Sequence, residues 1–436
     1  MDLPTIGSPD ILQNLLDNLH AFAGDRGVES GPFQINRNRF SLVRRGEWPE
    51  ITNPRSGSPQ SAAVDRRWAA YPSERALALL SAGSVPRHQL FEINRPPFQR
   101  RFGRLKWGMW SLGSSLPIAR RLVVPYWASL PGIEQLGQLI LVGHGTRLKL
   151  FNFQSKEVHS IILPGVSRED FAGEIEAKHR AAEFLSVPES ISENLDSPVP
   201  HFSEQLIEGP RMRNQVIESD VFASIVSEMV DGLAAMYERQ GAKSVRTSEY
   251  LESLVDHLSV VEKIPGVALP HGSELAETLK GDLRRKGMMS TPIPLVMAHR
   301  DFNTKNILFD RRSGTSYLID WEYWGEATAF HDLFHFATME MAERGRPWML
   351  ESLLADLPRK ADRNVLSKLA KGVSDSANKS MRVLMFRIYL LERERLFGER
   401  LLNAIKAGND PFRVSRLRAT LASLENTIVT SSQFLA

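Results

Sequence analysis

The chain has 436 residues, a formal net charge of +3, 42% hydrophobic and 24% charged residues, and no cysteine. That length exceeds one ordinary core, so two or three domains are expected. The lack of cysteine excludes disulfides, thiolate metal sites, iron–sulfur clusters and cysteine nucleophiles, and it fits a reducing compartment.

The N-terminal stretch MDLPTIGSPDILQNLLDNLHAFAG has no basic start before an apolar core and does not read as a signal peptide. No apolar run approaches the roughly 20 residues that span a bilayer, which makes a cytoplasmic protein the default. Within residues 9–23, Ile11, Leu12, Leu15, Leu16, Leu19 and Phe22 recur at helical spacing and predict a short amphipathic helix. Residues 28–64 are rich in Pro, Gly, Ser and Arg and predict loops. Charge is unevenly placed: Asp25–Arg121 carries 17 Lys/Arg against 7 Asp/Glu. With the Arg- and Trp-bearing segment around Trp107, Trp110 and Trp127, this basic front suits either an anionic membrane surface or a small domain with a Trp core. Nucleic acid is disfavoured because no zinc-finger or RNP-type motif accompanies the charge. Residues 1–135 are therefore set apart as a basic N-terminal region of helix and loops.

From about residue 136 the texture changes. GQLILVG, RLKLFNF and EVHSIILP predict an antiparallel meander. SREDFAGEIEAKHRAAEFL predicts a helix capped by Ser167, with Phe171, Ile175, Ala182 and Leu185 on one face and Glu174 beside it. PVPHFSEQLIEGP predicts a further strand ending at Gly209. Residues 136–210 thus form a small α+β lobe, and residues 211–436 a mainly helical one.

The chemistry-bearing stretch is MAHRDFNTKNILFD followed by YLIDWE. NILFDRRSGTSYLIDW reads as a hairpin that brings Asn306 close to Asp320, with Asp301 on the loop just before it. Two oxygen ligands beside a free carboxylate suit a hard cation, and magnesium shares such ligands with substrate phosphates. A separate Asp can orient a hydroxyl and take its proton.

His299, Arg300, Asp301 and Asn306 match the H-R-D-x-x-x-x-N loop of protein kinases. The D-W-E at Asp320 and the later Asp332-Leu333 are similar to the aminoglycoside phosphotransferase and choline kinase family. That resemblance covers roughly residues 136–400. It implies a two-lobed, protein-kinase-like α+β fold and ATP- and magnesium-dependent phosphorylation of a hydroxyl on a small molecule, sugar or lipid-linked glycan. It further implies Asp301 as catalytic base and Asn306 and Asp320 as magnesium ligands. His299 would support the site, and Asp332 would brace the catalytic loop from a helix. Glu204, Gln205, Leu206 and Ile207 would form the adenine-binding hinge, and Glu174 would be the helix glutamate paired with a phosphate-binding lysine. The chain departs from the family at three points. Arg300 replaces the usual Gly, GHGT is a thin glycine-rich loop, and EVHSIILP holds no lysine. Either Lys149 or Lys156 takes that lysine's place, or the lobe binds nucleotide differently.

Two rival readings use the same letters. A non-catalytic kinase-like scaffold would account for the missing lysine. A zinc site built from His331, His335 and His299 would use the i, i+4 spacing of H-E-x-x-H, with Asp332 in place of the Glu. No G-x-S-x-G elbow and no Rossmann fingerprint is present. Glu392, Glu394 and Glu399 are candidates either for receiving a cationic acceptor or for a solvated helix face.

Overall fold

The computed structural model describes residues 9–28, 34–37, 51–52, 67–72, 76–81, 126–129, 133–143, 147–163, 166–214, 219–354, 379–406 and 411–432. The chain opens with α1 (Pro9–Asp25), then β1 (Gln34–Arg37), β2 (Ile51–Thr52), β3 (Arg67–Pro72), β4 (Ala76–Ser81) and β5 (Tyr126–Ser129). The next elements are α2 (Ile133–Leu136), β6 (Leu139–Gly143), β7 (Arg147–Asn152), β8 (Glu157–Ile162), α3 (Arg168–Ala181), β9 (Ser190–Asn194) and β10 (His201–Gln205). All ten strands join one antiparallel sheet in the order β2-β1-β5-β3-β4-β6-β7-β8-β10-β9.

This changes the picture of the N-terminal region. Leu77, Ala78 and Leu79 pair with Val142, Leu141 and Ile140, so strands from before residue 135 continue the sheet of the lobe that follows. Two strands, 34–37 and 51–52, fall inside the stretch read as loops. Runs of two to six residues cannot stand alone, and they gain stability here by adding to an existing ladder. Trp107 and Trp110, with most of the basic front, lie outside the described residues, and Trp127 lies in β5. Among the described residues no helix is long and apolar enough to cross a membrane.

The meander and its helix form where the sequence places them. Ser167 accepts from the Asp170 N–H at 3.2 Å, Glu169 and Asp170 lie in the first turn of α3, and Lys178, His179 and Arg180 in its last. That arrangement suits the helix dipole at both ends. Phe171 and Ile175 pack with Ile162 and Phe202 of the sheet. Ala182, expected on this face, is exposed, because the helix ends one residue earlier and Ala182 caps it.

On the sheet, α1 docks through Phe22, whose ring meets His201 edge-on at 4.8 Å and His159 at 5.5 Å. His159 Nδ1 lies 2.6 Å from Ser203 Oγ, and its Nε2 is 3.7 Å from Glu157. Burial, aided by the charges of Arg26 and His201, lowers the His159 pKa to about 4. The unfolded chain therefore takes up a proton near pH 6.5 that the folded chain refuses until about pH 4. This stability is fully present above about pH 6.5 and is lost as pH falls toward 4, by on the order of 3 kcal/mol at the limit. Denaturant titrations of the native chain and of His159→Gln should diverge as pH falls through that window, the variant losing less; parallel curves would remove His159 as the cause.

The second lobe contains α4 (Ser219–Gln240), β11 (Lys243–Arg246), α5 (Thr247–Val261), α6 (Pro270–Arg285), β12 (Pro292–Ala298), β13 (Ile307–Asp310), β14 (Thr315–Leu318) and β15 (Gly325–Thr328). It is completed by α7 (His331–Arg344), α8 (Pro347–Leu354), α9 (Lys379–Lys406) and α10 (Pro411–Ser432). Leu233, Tyr237, Leu254, Leu279, Phe334 and Phe386 belong to one core, which holds the helices against β12 and the β13–β14 hairpin. The catalytic-loop candidate, residues 299–306, links β12 to that hairpin.

Candidate active site

The hairpin is closed by Asp310, whose carboxylate accepts from the Arg312 N–H and the Ser313 hydroxyl, with Gly314 at φ 72°. Its register pairs Ile307 with Leu318, and the Ile319 N–H donates to the Asn306 carbonyl at 2.9 Å. Asn306 and Asp320 are thereby placed at the open end of one hairpin, as the sequence pattern requires. Asn306 Nδ2 donates to the Asp301 carboxylate at 2.7 Å and to the Asp301 carbonyl at 2.9 Å. This leaves the Asn306 Oδ1 as its remaining acceptor.

Asp332, at the start of α7, accepts from the backbone N–H groups of His299 (2.9 Å) and Arg300 (2.7 Å) and from the Tyr237 hydroxyl. Two backbone donors on one buried carboxylate fix the loop's path. His299 adds a second tie: its Nδ1 accepts from the Asp301 N–H at 3.2 Å, so its Nε2–H donates to the Ile319 carbonyl at 3.1 Å. Arg300 has φ 65°, in the left-handed region, where a non-glycine residue costs about 1 kcal/mol. The two backbone hydrogen bonds that Asp332 accepts and the one that Arg393 donates to the Arg300 carbonyl hold it there.

Asp301 also accepts from His335 Nε2 at 2.9 Å, while His335 Nδ1 faces the Tyr389 hydroxyl at 3.1 Å. Burial lowers the His335 pKa to about 4, so the ring is neutral and helps Asp301 as a hydrogen-bond donor. Burial by itself would raise the Asp301 pKa; the His335 bond and the charge of Arg393 prevail and hold the carboxyl well below the usual range. His331 is turned elsewhere, onto Glu392 at 2.6 Å. The histidines of the zinc reading are thus held in hydrogen bonds, His299 and His335 on the two sides of Asp301 and His331 on Glu392, and no metal-holding group of three His, Asp or Glu occurs among the described residues.

Asp320 has φ 70° and no side-chain hydrogen bond or ion pair among the described residues. Burial again favours its neutral form, but Lys149, then Arg147, then Arg211 outweigh it and lower the carboxyl's pKa. A half-buried, ionised carboxylate with no ion pair among the described residues, one residue beyond the backbone bond to Asn306, forms with the Asn306 amide oxygen a hard-oxygen donor set that fits magnesium.

Glu174 pairs with Arg147 of β7 at 2.6 Å, and the same guanidinium reaches Glu322 at 2.7 Å. Burial pushes the Glu174 carboxyl up, whereas the close, charged guanidinium favours the ionised pair, and the geometry decides for the latter. The partner of Glu174 is therefore an arginine on the second strand of the meander. Neither Arg147 nor Glu322 stood out in the sequence. The available signal was RLKLFN itself, two cations spaced i, i+2 on an otherwise apolar strand. Lys156 ion-pairs with Glu208.

In the hinge, Glu204 is taken by Lys178 of α3 at 2.8 Å, the Gln205 N–H by the Glu189 carbonyl and the Leu206 N–H by the Lys156 carbonyl. The Ile207 N–H has no partner among the described residues. Gly209 lets the segment lie on the hairpin: a Cβ there would fall 2.8 Å from the Phe309 carbonyl oxygen. The C-terminal glutamates are not a solvated face. Glu392 accepts from Tyr250, Thr328 and His331, Glu399 pairs with Arg395, and burial beside Glu425 pushes Glu394 up to about 10.

A strand lobe in which α3 packs on the sheet, a hinge, and a helical lobe bearing the loop and hairpin make this a two-lobed, protein-kinase-like α+β fold. Residues 223–366, which include Asp301, Asn306, Asp320 and Asp332, match the model of the phosphotransferase enzyme family. The resemblance carried by these motifs is to aminoglycoside phosphotransferases and choline kinases. No curated protein sequence matches the chain. Among solved structures it is similar to an aminoglycoside-3'-phosphotransferase of type VIII, with 17% identity, 57% of this chain and 88% of that one covered, and a TM-score of 0.38. It is also similar to a choline/ethanolamine kinase family protein from Mesorhizobium loti (16%, 65% and 90%, TM-score 0.39) and to an ethanolamine kinase from Plasmodium vivax (14%, 66% and 78%, TM-score 0.39).

Proposed function

We propose that this protein transfers the γ-phosphoryl group of ATP, with magnesium, to a hydroxyl of a small molecule, sugar or lipid-linked glycan. The observation that carries the reading is the convergence of Asp301, Asn306 and Asp320 at one end of a braced hairpin. Asp301 holds the acceptor hydroxyl in line with the phosphorus. The acceptor oxygen forms the new P–O bond, the bond to the β-phosphate oxygen breaks, and ADP leaves with the electron pair. A carboxylate with so low a pKa is a weak base, so Asp301 acts first by orientation and takes the proton late, as the new bond forms. Asn306 Oδ1 and Asp320 would hold magnesium, which neutralises charge on the phosphates when bound. Asp332 and His299 keep the loop in register, and Ile207 offers the open hinge amide to adenine. Glu392, Glu394 and Glu399, occupied or neutral as they are, give no support to a cationic acceptor bound through them.

Thermal unfolding with ATP, magnesium, both or neither tests the reading. A midpoint that rises most with the two together is expected, and no response to any of them would overturn it.

A further inference from the structure

A lobe that grips phosphates needs a cation the ligand can reach, and β8 supplies no lysine. On the neighbouring strand, Lys149 pairs directly with Ser160. Such partners point to the same face with Cβ atoms about 5 Å apart. Ser160 is fully buried, and its hydroxyl has no partner among the described residues. Lys149 therefore extends beside the place where a long side chain on β8 would run.

Arg147 identifies that face. Two residues before Lys149 on the same strand, it points to α3 and the cleft, where Glu174 and Glu322 occupy its guanidinium. Arg147 is a tie between the helix and the turn after Asp320, with little left for a ligand. Lys149 is different: it is half-buried and makes no ion pair or side-chain hydrogen bond among the described residues. It is also the leading charge acting on Asp320.

A second cation enters from the hinge side. Arg211 is bridged through its backbone to Leu308 of β13, two residues beyond Asn306. Its guanidinium acts on both Asp320 and Asp301 and likewise has no ion pair among the described residues. Two cations without an ion pair among the described residues thus act on the Asp320 carboxylate, one from the strand lobe and one from the hinge side.

We propose that Lys149 and Arg211 form a two-point clamp for the polyphosphate of a nucleotide, while Arg147 serves only to lock Glu174 to Glu322. The work that one lysine on the third strand would do is divided between residues of β7 and the hinge. This rests on the phosphotransferase reading above, and the test separates the two.

The experiment measures the dissociation constants of ATP, ADP, adenosine and inorganic tripolyphosphate for the native chain, Lys149→Met, Lys149→Arg and Arg211→Met. Methionine keeps the apolar stem of each side chain, and thermal midpoints report whether each variant is folded. Loss of either cation should weaken ATP, ADP and tripolyphosphate by about 10- to 100-fold, as for a lost charged hydrogen bond. Adenosine should change by no more than about 3-fold, a ratio well under one such bond, and Lys149→Arg should recover part of the loss. A native chain that binds ATP, with both methionine variants folded and unchanged, would overturn the clamp alone. A native chain that binds neither ATP nor tripolyphosphate would overturn clamp and phosphotransferase together. Tripolyphosphate binding that depends on Lys149 and Arg211 without ATP turnover would uphold the clamp and sink only the activity.

Discussion

Asp301→Asn is expected to lower turnover by about 10²- to 10⁴-fold, the usual range for a lost acid–base group, while nucleotide affinity stays near that of the native chain. The asparagine keeps the shape of the side chain but replaces one acceptor oxygen with an NH2 donor. Asp301 receives hydrogen bonds from both His335 and Asn306, so in the variant one of these donors faces another donor. The acceptor hydroxyl loses its orienting charge at the same time. Phosphate release and ATP binding measured on one preparation distinguish this from misfolding: binding should persist while turnover collapses. Turnover within about 3-fold of native would be far short of an acid–base effect and would remove Asp301 from the role.

Arg147→Ala is expected to cost about 3–5 kcal/mol of stability, because it strands two carboxylates that are nearly out of solvent. Glu174 and Glu322 have side-chain exposures of 7% and 14%, and their shared guanidinium is their ion-pair partner among the described residues. The damage should shrink at lower pH, where the stranded carboxylates can take up protons, and Glu174→Gln in the same chain should restore part of the loss. Chemical denaturation of the single and double variants provides the comparison. A single variant as stable as the native chain would show that the tie contributes nothing. The site should also suffer, since Glu322 lies two residues beyond Asp320 and shares its turn with Trp321, whose ring lies 4.5 Å from that of His299 at a 60° tilt.

Some parts of this molecule are legible in its sequence and others are not, for physical reasons. The β6–β8 meander, α3 with its Ser167 cap and the β13–β14 hairpin rest on local periodicity and turn chemistry. Asp301, Asn306, Asp320 and Asp332 sit at fixed spacings on consecutive elements, so their encounter follows once the hairpin closes. Arg147 meets Glu174 across 27 residues and Glu322 across 175, through sheet packing that no local pattern encodes. Strand β9 escaped notice because SISEN sits at the edge, mostly exposed and without apolar alternation. The early strands escaped because β5 inserts between β1 and β3, a non-sequential pairing of very short runs. His335 is visible in the sequence only as a candidate zinc ligand; its 2.9 Å contact reveals it as the donor to Asp301.

The unbroken ladder from β4 into β6 bears on how the chain can be cut. Removing residues 1–135 would uncover the apolar strand LILVG along its full row of unpaired amides and carbonyls. An exposed, uncharged edge of that kind recruits strands from other molecules. The chain from residue 136 onward is therefore not a free-standing unit: its first strand is finished by Ala76–Leu80, and a shortened protein without them should self-associate.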